Sequence, residues 1–146
     1  MEFVDLDEAI QARAGRTIRE IFTGQGEDAF RDAETAELER TTARDDLVVA
    51  TGGGAFAAPR NRELIRRARG ISVFVDPPWK AICDRLGGGS GGRPKWIDEH
   101  HARALFLHRR PDYLLAELHI ELRGGETAAE VADRVEAALA EASCAS

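Results

Sequence analysis

Two kinds of apolar spacing alternate along the chain. Short, nearly unbroken runs stand at Phe3-Val4, at Leu47-Val48-Val49-Ala50 and at Ile71-Ser72-Val73-Phe74-Val75. They are too short for helices and read as strands, and the lack of alternation in the second run predicts a buried strand of a parallel sheet. Between them the apolar residues recur every three or four positions, as Ala9, Ile10 and Ala14, then Ile18, Ile21 and Phe22, then Phe30, Ala33 and Leu38. Further on come Leu64, Ile65 and Ala68, and a final stripe of Val131, Val135, Ala138, Leu139 and Ala142. That spacing predicts helices with one inward face. Residues 114–122 make the last strand, with His119 and Glu121 alternating with apolar neighbours as on an edge.

Local signals set the boundaries. Gly15 ends the first helix, Thr17 with Glu20 reads as a capping box for the second, and Gly24 and Gly26 interrupt the chain before a third helix over residues 27–40. A helix over 61–69 precedes the third strand, which Asp76-Pro77-Pro78 ends because proline cannot continue a central strand. Helices are expected over 79–86 and 97–110, and Thr127 with Glu130 caps the last one. Strands alternating with helices predict an α/β fold with a parallel sheet.

Candidate chemistry gathers in residues 3–31. Asp5 and Asp7 follow the first strand with one apolar residue between them. In an extended strand end, residues two apart face one side, so both carboxylates are expected in one crevice. Arg31 sits beside Phe30, at the edge of the third helix's inward face. Two acids and an arginine so placed suit a polyol or a phosphate. Thr51-Gly52-Gly53-Gly54-Ala55 runs directly out of the second strand, and glycines there bring backbone very close to a neighbour because no Cβ intervenes.

These stretches resemble the shikimate kinase family. D-x-D, G-x-x-I-x-x-I-F, a G-E turn and F-R occur in order as Asp5-Leu6-Asp7, Gly15 to Phe22, Gly26-Glu27 and Phe30-Arg31. Arg109-Arg110-Pro111-Asp112-Tyr113 resembles the family's R-x-P-L-Y, with Asp112 in place of leucine. Arg93-Pro94 follows the glycine-rich stretch 87–92 where the family has a mobile lid with an arginine before proline. The lid is expected over about 87–96, with Lys95 and Trp96 replacing the usual leucines.

The resemblance implies a three-layer, P-loop-kinase-like fold (the nucleoside monophosphate kinase type) in one domain over 1–146. It implies ATP- and Mg²⁺-dependent phosphorylation of the shikimate 3-hydroxyl, in the biosynthesis of aromatic amino acids. In that reading Asp7 orients and deprotonates the hydroxyl, and Arg31 and Arg109 pair with the shikimate carboxylate. Gly53 and Gly54 contact the ring, Asp5 helps hold Mg²⁺ through water, Arg93 closes over the phosphates, and Arg123 lies toward adenine. Two alternatives stand beside it: a noncatalytic shikimate-binding or partner-binding domain, and another small-molecule kinase of this fold, such as a gluconate kinase.

One part of the pattern is missing from these 146 residues. A phosphate-cradling G-x-x-x-x-G-K-[ST] loop occurs nowhere in them: Gly52–Gly54 lacks a following Gly-Lys-Ser/Thr, and the 87–92 cluster runs into Arg93-Pro94-Lys95. In the family that loop precedes the D-x-D strand by one helix. The expectation is therefore a chain lacking the first central strand, the P-loop and the first helix, inactive by itself, with open sheet edges that promote association in a family that is otherwise monomeric.

Composition narrows the partners. With 20 Lys and Arg against 26 Asp and Glu the net charge is -6, which offers no basic excess for nucleic acid. No apolar run approaches a membrane span, and the first residues carry no signal-peptide pattern. Cys83 and Cys144 are expected as free thiols in the cytoplasm. Adjacent His100 and His101 diverge by about 100° on a helix and cannot chelate from one face.

Overall fold

The computed structural model describes residues 1–88 and 99–144. In order, β1 (Glu2–Asp5), α1 (Leu6–Ala14), α2 (Ile18–Thr42), β2 (Leu47–Ala50), α3 (Gly52–Ala57) and α4 (Pro59–Arg67) form one compact unit, Met1–Ile71. The elements β3 (Val73–Asp76), α5 (Trp79–Gly88), α6 (Glu99–Tyr113), β4 (Leu118–Glu121) and α7 (Ala128–Cys144) form the second, Ser72–Ser146.

In the first unit β1 and β2 pair in parallel, Glu2 opposite Leu47 and Asp5 opposite Ala50. Both strands therefore end side by side, and the segments that leave them start as neighbours. Asp5 does not point into a crevice with Asp7 as an alternating strand would require. Asp5 is the N-cap of α1, its Oδ1 accepting from the backbone N–H of Asp7 and Glu8 at 2.9 and 3.2 Å. The helix starts at Leu6, so Asp7 already lies in its first turn. Helical rotation, not strand alternation, sets where it points. Gly15 closes α1 with φ 63°, as its position predicts.

The Thr17–Glu20 capping box is present, with both reciprocal hydrogen bonds. The second and third expected helices are continuous except for a kink at Gly26, whose φ of 85° and ψ of 174° leave the helical region. Leu6, Ile10, Ile21, Phe30, Leu38 and Ala55 form the core, with Ile18, Ala33 and Ile65 packed on it. Asn61 ties α4 to α3, its amide donating to the Ala55 carbonyl at 3.0 Å. Ala68 is exposed rather than inward, because α4 ends at Arg67.

β2 is not the strand buried on both faces that its apolar run predicts: Val48 and Ala50 are exposed. Phe3, paired with Val48 in register, is exposed as well. An unbroken apolar run records what a strand can bury, not what covers it.

In the second unit β3 and β4 pair in parallel, Val73 opposite Leu118 and Asp76 opposite Glu121. The first four residues of the expected last strand form a turn instead, with Leu114 N–H bonded to the Arg110 carbonyl. α6 runs past the expected stop at Arg110 and includes Pro111. The stripe of Val131, Val135, Ala138, Leu139 and Ala142 is the half-buried side of α7, and its other described positions are exposed. Thr127 and Glu130 cap that helix as expected. The four strands among the described residues thus form two parallel pairs, β1–β2 and β3–β4.

Candidate active site

The first unit brings three of the expected elements together at the ends of β1 and β2. Ligands of parallel α/β sheets sit beyond the carboxyl ends of their strands, and this is where the chain places its polar groups. Asp7 leaves β1 in the first turn of α1, and Gly52, with φ 65°, leaves β2. A Cβ built on Gly52 would come within 4.0 Å of Asp7 Oδ2. Two residues on, a Cβ on Gly54 would lie 3.0 Å from Arg31 Cζ and closer still to Nη1. Gly53, exposed in the same short helix, lies between these two approaches. Gly54 therefore admits the arginine, whereas a side chain at Gly52 would meet Asp7 only at ordinary contact distance and is disfavoured there by the positive φ.

Arg31 is held from behind. Its Nη1 donates to Glu34 Oε2 at 2.8 Å and its Nη2 to Glu27 Oε1 at 3.3 Å, and Cζ stands 5.2 Å from the Phe30 ring centre. Glu34 is 3% exposed, so its carboxylate is fixed and poorly hydrated. Burial works against the Arg31 charge, but hydrogen bonds and charge from Glu34 and Glu27 outweigh it and raise its pKa above the usual value. The result is a permanently charged, oriented fork suited to a carboxylate. Glu34 escaped the sequence reading, although its spacing of three from Arg31 on one helix was the available signal.

In the second unit Arg109 is half-buried on α6, and Arg123 follows β4 with its backbone N–H bonded to Glu126 Oε1 at 2.6 Å. Arg93 and most of the expected lid lie outside the described residues. Arg110 Nη2 donates to Asp76 Oδ2 at 2.7 Å, and His119 Nε2 is 2.9 Å from the same oxygen. Asp76, at the end of its strand, is buried. Asp76 and Arg110 border a cleft of about 260 Å³ lined also by Pro77, Pro78, Trp79, Phe106, Glu121 and Leu122.

Cys83 and Cys144 are free, and His100 and His101 are exposed. Among the described residues no cluster of three or more His, Cys, Asp or Glu could hold a metal ion, and no helix is long and apolar enough to cross a membrane.

The shikimate kinase family model matches residues 1–140. The chain belongs to the shikimate kinase family. The shikimate kinase of Halorhodospira halophila is 39% identical over 142 residues, which cover 95% of this chain and 79% of that protein. That of Prochlorococcus marinus strain MIT 9313 is 38% identical, covering 85% of this chain and 65% of its own length. The chain thus spans roughly two thirds to four fifths of these shikimate kinases. The crystal structure of shikimate kinase from Aquifex aeolicus has a TM-score of 0.81 at 28% identity, over 100% of this chain and 84% of that one. The shikimate kinase of Acinetobacter baumannii, solved in complex with shikimate, has a TM-score of 0.81 at 34% identity, over 96% and 79% of the two chains. The fold is accordingly the α/β, P-loop-kinase type.

Proposed function

We propose that this chain is the shikimate-recognising part of a shikimate kinase, which transfers a phosphoryl group from ATP to the shikimate 3-hydroxyl. The observation that carries the reading is Arg31, tethered by buried Glu34 and pressed against a glycine backbone beside the segment that approaches Asp7. Shikimate offers a carboxylate for such a fork and vicinal hydroxyls for an acid and bare backbone. Arg31 and Arg109 bind the carboxylate, Gly53 and Gly54 let the ring approach, and Asp7 orients the hydroxyl and accepts its proton at a side-chain oxygen.

The donor set bears on the cofactors. Asp5 keeps α1 capped through Oδ1. A single carboxylate acting through water fits Mg²⁺, which keeps several waters and relies on substrate phosphates rather than on a protein cage. ATP would supply the phosphoryl group when bound, and Arg93 and Arg123 are the residues assigned to it by the family resemblance. The 146 residues contain no G-x-x-x-x-G-K-[ST] motif to cradle a triphosphate, so no step at the phosphates is assigned to them. The lid over 87–96, a single-domain organisation over 1–146 and a cytoplasmic location complete the reading.

Calorimetric titration with shikimate tests it. The unsubstituted chain is expected to bind, and Arg31→Ala and Arg109→Ala each to bind about ten- to a hundredfold more weakly, the cost of a lost charged hydrogen bond. Unchanged affinity in both variants contradicts the assignment.

A further inference from the structure

Arg109 reaches its proposed substrate from a helix whose last turn is weakened. Pro111 lies inside α6 and has no N–H to give to the carbonyl four residues back, Leu107. The turn that carries Arg109 therefore depends on side chains to set its rotation. Among its side-chain contacts, three come from one stripe spaced four and then three residues apart. Phe106 packs on Trp79 with ring centres 5.6 Å apart, Arg110 bonds to Asp76, and Tyr113 lies 5.3 Å from the Phe74 ring. Arg109 stands three residues after Phe106 and four before Tyr113, on the flank of the same stripe.

The three contacts are not equivalent. The ring pairs tolerate sliding, whereas the Asp76–Arg110 bond is directional and charged. Its acceptor is also the better fixed partner: the Asp76 side chain is 8% exposed against 35% for Arg110. Asp76 is the last residue of β3, and the same oxygen faces His119, whose ring stacks on Phe74 at 5.2 Å and 10°. The carboxylate is thus anchored to both strands, and through Arg110 it fixes the helix.

We propose that Asp76 is a positioning residue for substrate binding: by holding Arg110 it sets the rotation of α6, and with it the direction in which Arg109 presents its guanidinium to the substrate carboxylate. This inference rests on the assignment of Arg109 to that carboxylate. Asp76 touches no substrate in this account. Its loss is felt only where a ligand carries the negative charge that Arg109 reads.

The test is a set of NMR titrations of the 146-residue chain with shikimate and with its methyl ester, which keeps the ring and hydroxyls but has no charge. Asp76→Asn is expected to weaken shikimate binding about tenfold and to leave the ester's affinity unchanged, an effect confined to one charged contact. Arg110→Gln removes the same bond from its more exposed end and is expected to do likewise. Combining Asp76→Asn with Arg109→Ala is expected to bind shikimate no more weakly than Arg109→Ala alone. Equal losses for shikimate and ester, or losses that multiply in the double variant, overturn the proposal and make Asp76 a general structural group. If Arg109→Ala weakens shikimate binding but neither Asp76→Asn nor Arg110→Gln does, the positioning role alone is overturned. Should Arg109→Ala bind as the unsubstituted chain does, or should that chain not bind shikimate, the underlying assignment falls and the inference with it.

Discussion

Arg31 and Gly54 occupy space that a single added methyl group would contest. A Cβ at Gly54 would lie 3.0 Å from both Cζ and Nη2 of Arg31 and closer still to Nη1. A free guanidinium would swing aside at little cost, but this one is bonded to Glu34 at 2.8 Å. Gly54→Ala is therefore expected to displace Arg31 and weaken shikimate binding about tenfold, the loss of part of a charged hydrogen-bond set. Calorimetry gives the affinity, and unchanged far-ultraviolet circular dichroism shows that α3 still forms.

The two acids that hold Arg31 differ in environment, and the difference sets the size of their effects. The Glu34 side chain is 4% exposed and that of Glu27 is 65% exposed. Glu34→Gln is expected to lower unfolding free energy by about 1–3 kcal/mol, since it loosens a buried charged bond. Glu27→Gln is expected to change it by less than about 1 kcal/mol, as for exposed ion pairs. Urea unfolding monitored by circular dichroism distinguishes the two.

Asp5 has a structural role that separates it from Asp7. Because it caps α1, Asp5→Ala is expected to cost about 0.5–2 kcal/mol of stability. Asp5→Ser, which restores a capping oxygen without a charge, is expected to recover most of it. Thermal unfolding of the two variants provides the comparison.

Several carboxylates titrate low, and the sign of their effect on stability follows. The carboxyls of Glu20 and Glu130 are held below the usual range, first by the backbone N–H of Thr17 and Thr127 and then by the threonine hydroxyls. Glu63, bonded to Arg66 and Arg67, is lowered to about 2. A folded-state pKa below the unfolded value means that the contribution is complete above the unfolded carboxylate range and disappears as pH falls through the folded value. Acid is thus expected to weaken the starts of α2 and α7 and the Glu63 pairs on α4 as these carboxyls take up protons. Carboxyl and amide NMR shifts followed from about pH 6 downward to about 2 are expected to show all three titrating below the ordinary glutamate range.

What could be read from the sequence was local. The capping boxes at Thr17–Glu20 and Thr127–Glu130 lie within one turn, and Gly15 and Gly26 act through their own dihedral angles, so each was legible from a few residues. Arg31 and the glycines after β2 stand out separately in the sequence, and the close approach of Gly54 to Arg31 is a contact that only the fold displays. The misread features depend on what lies across space. The exposure of Val48 reflects what covers β2, and the helix start at Leu6 depends on Asp5 turning back to cap it. Glu34 and Asp76 look like any other acid in a chain with 26 of them, and only the fold shows them buried against arginines.

The most direct measurement is shikimate-dependent ADP release in a coupled assay, run on these 146 residues beside a version extended before Met1 by a strand, a P-loop and a helix of the family type. Phosphoryl transfer rests on positioning and charge stabilisation at the phosphates, which a P-loop supplies. The extended protein is expected to turn over, and Asp7→Asn in it to lower kcat far more than it raises KM. The 146 residues alone are expected to bind shikimate without turnover. Turnover by the shorter chain comparable with the longer one, or an extended protein indifferent to shikimate, would contradict the account.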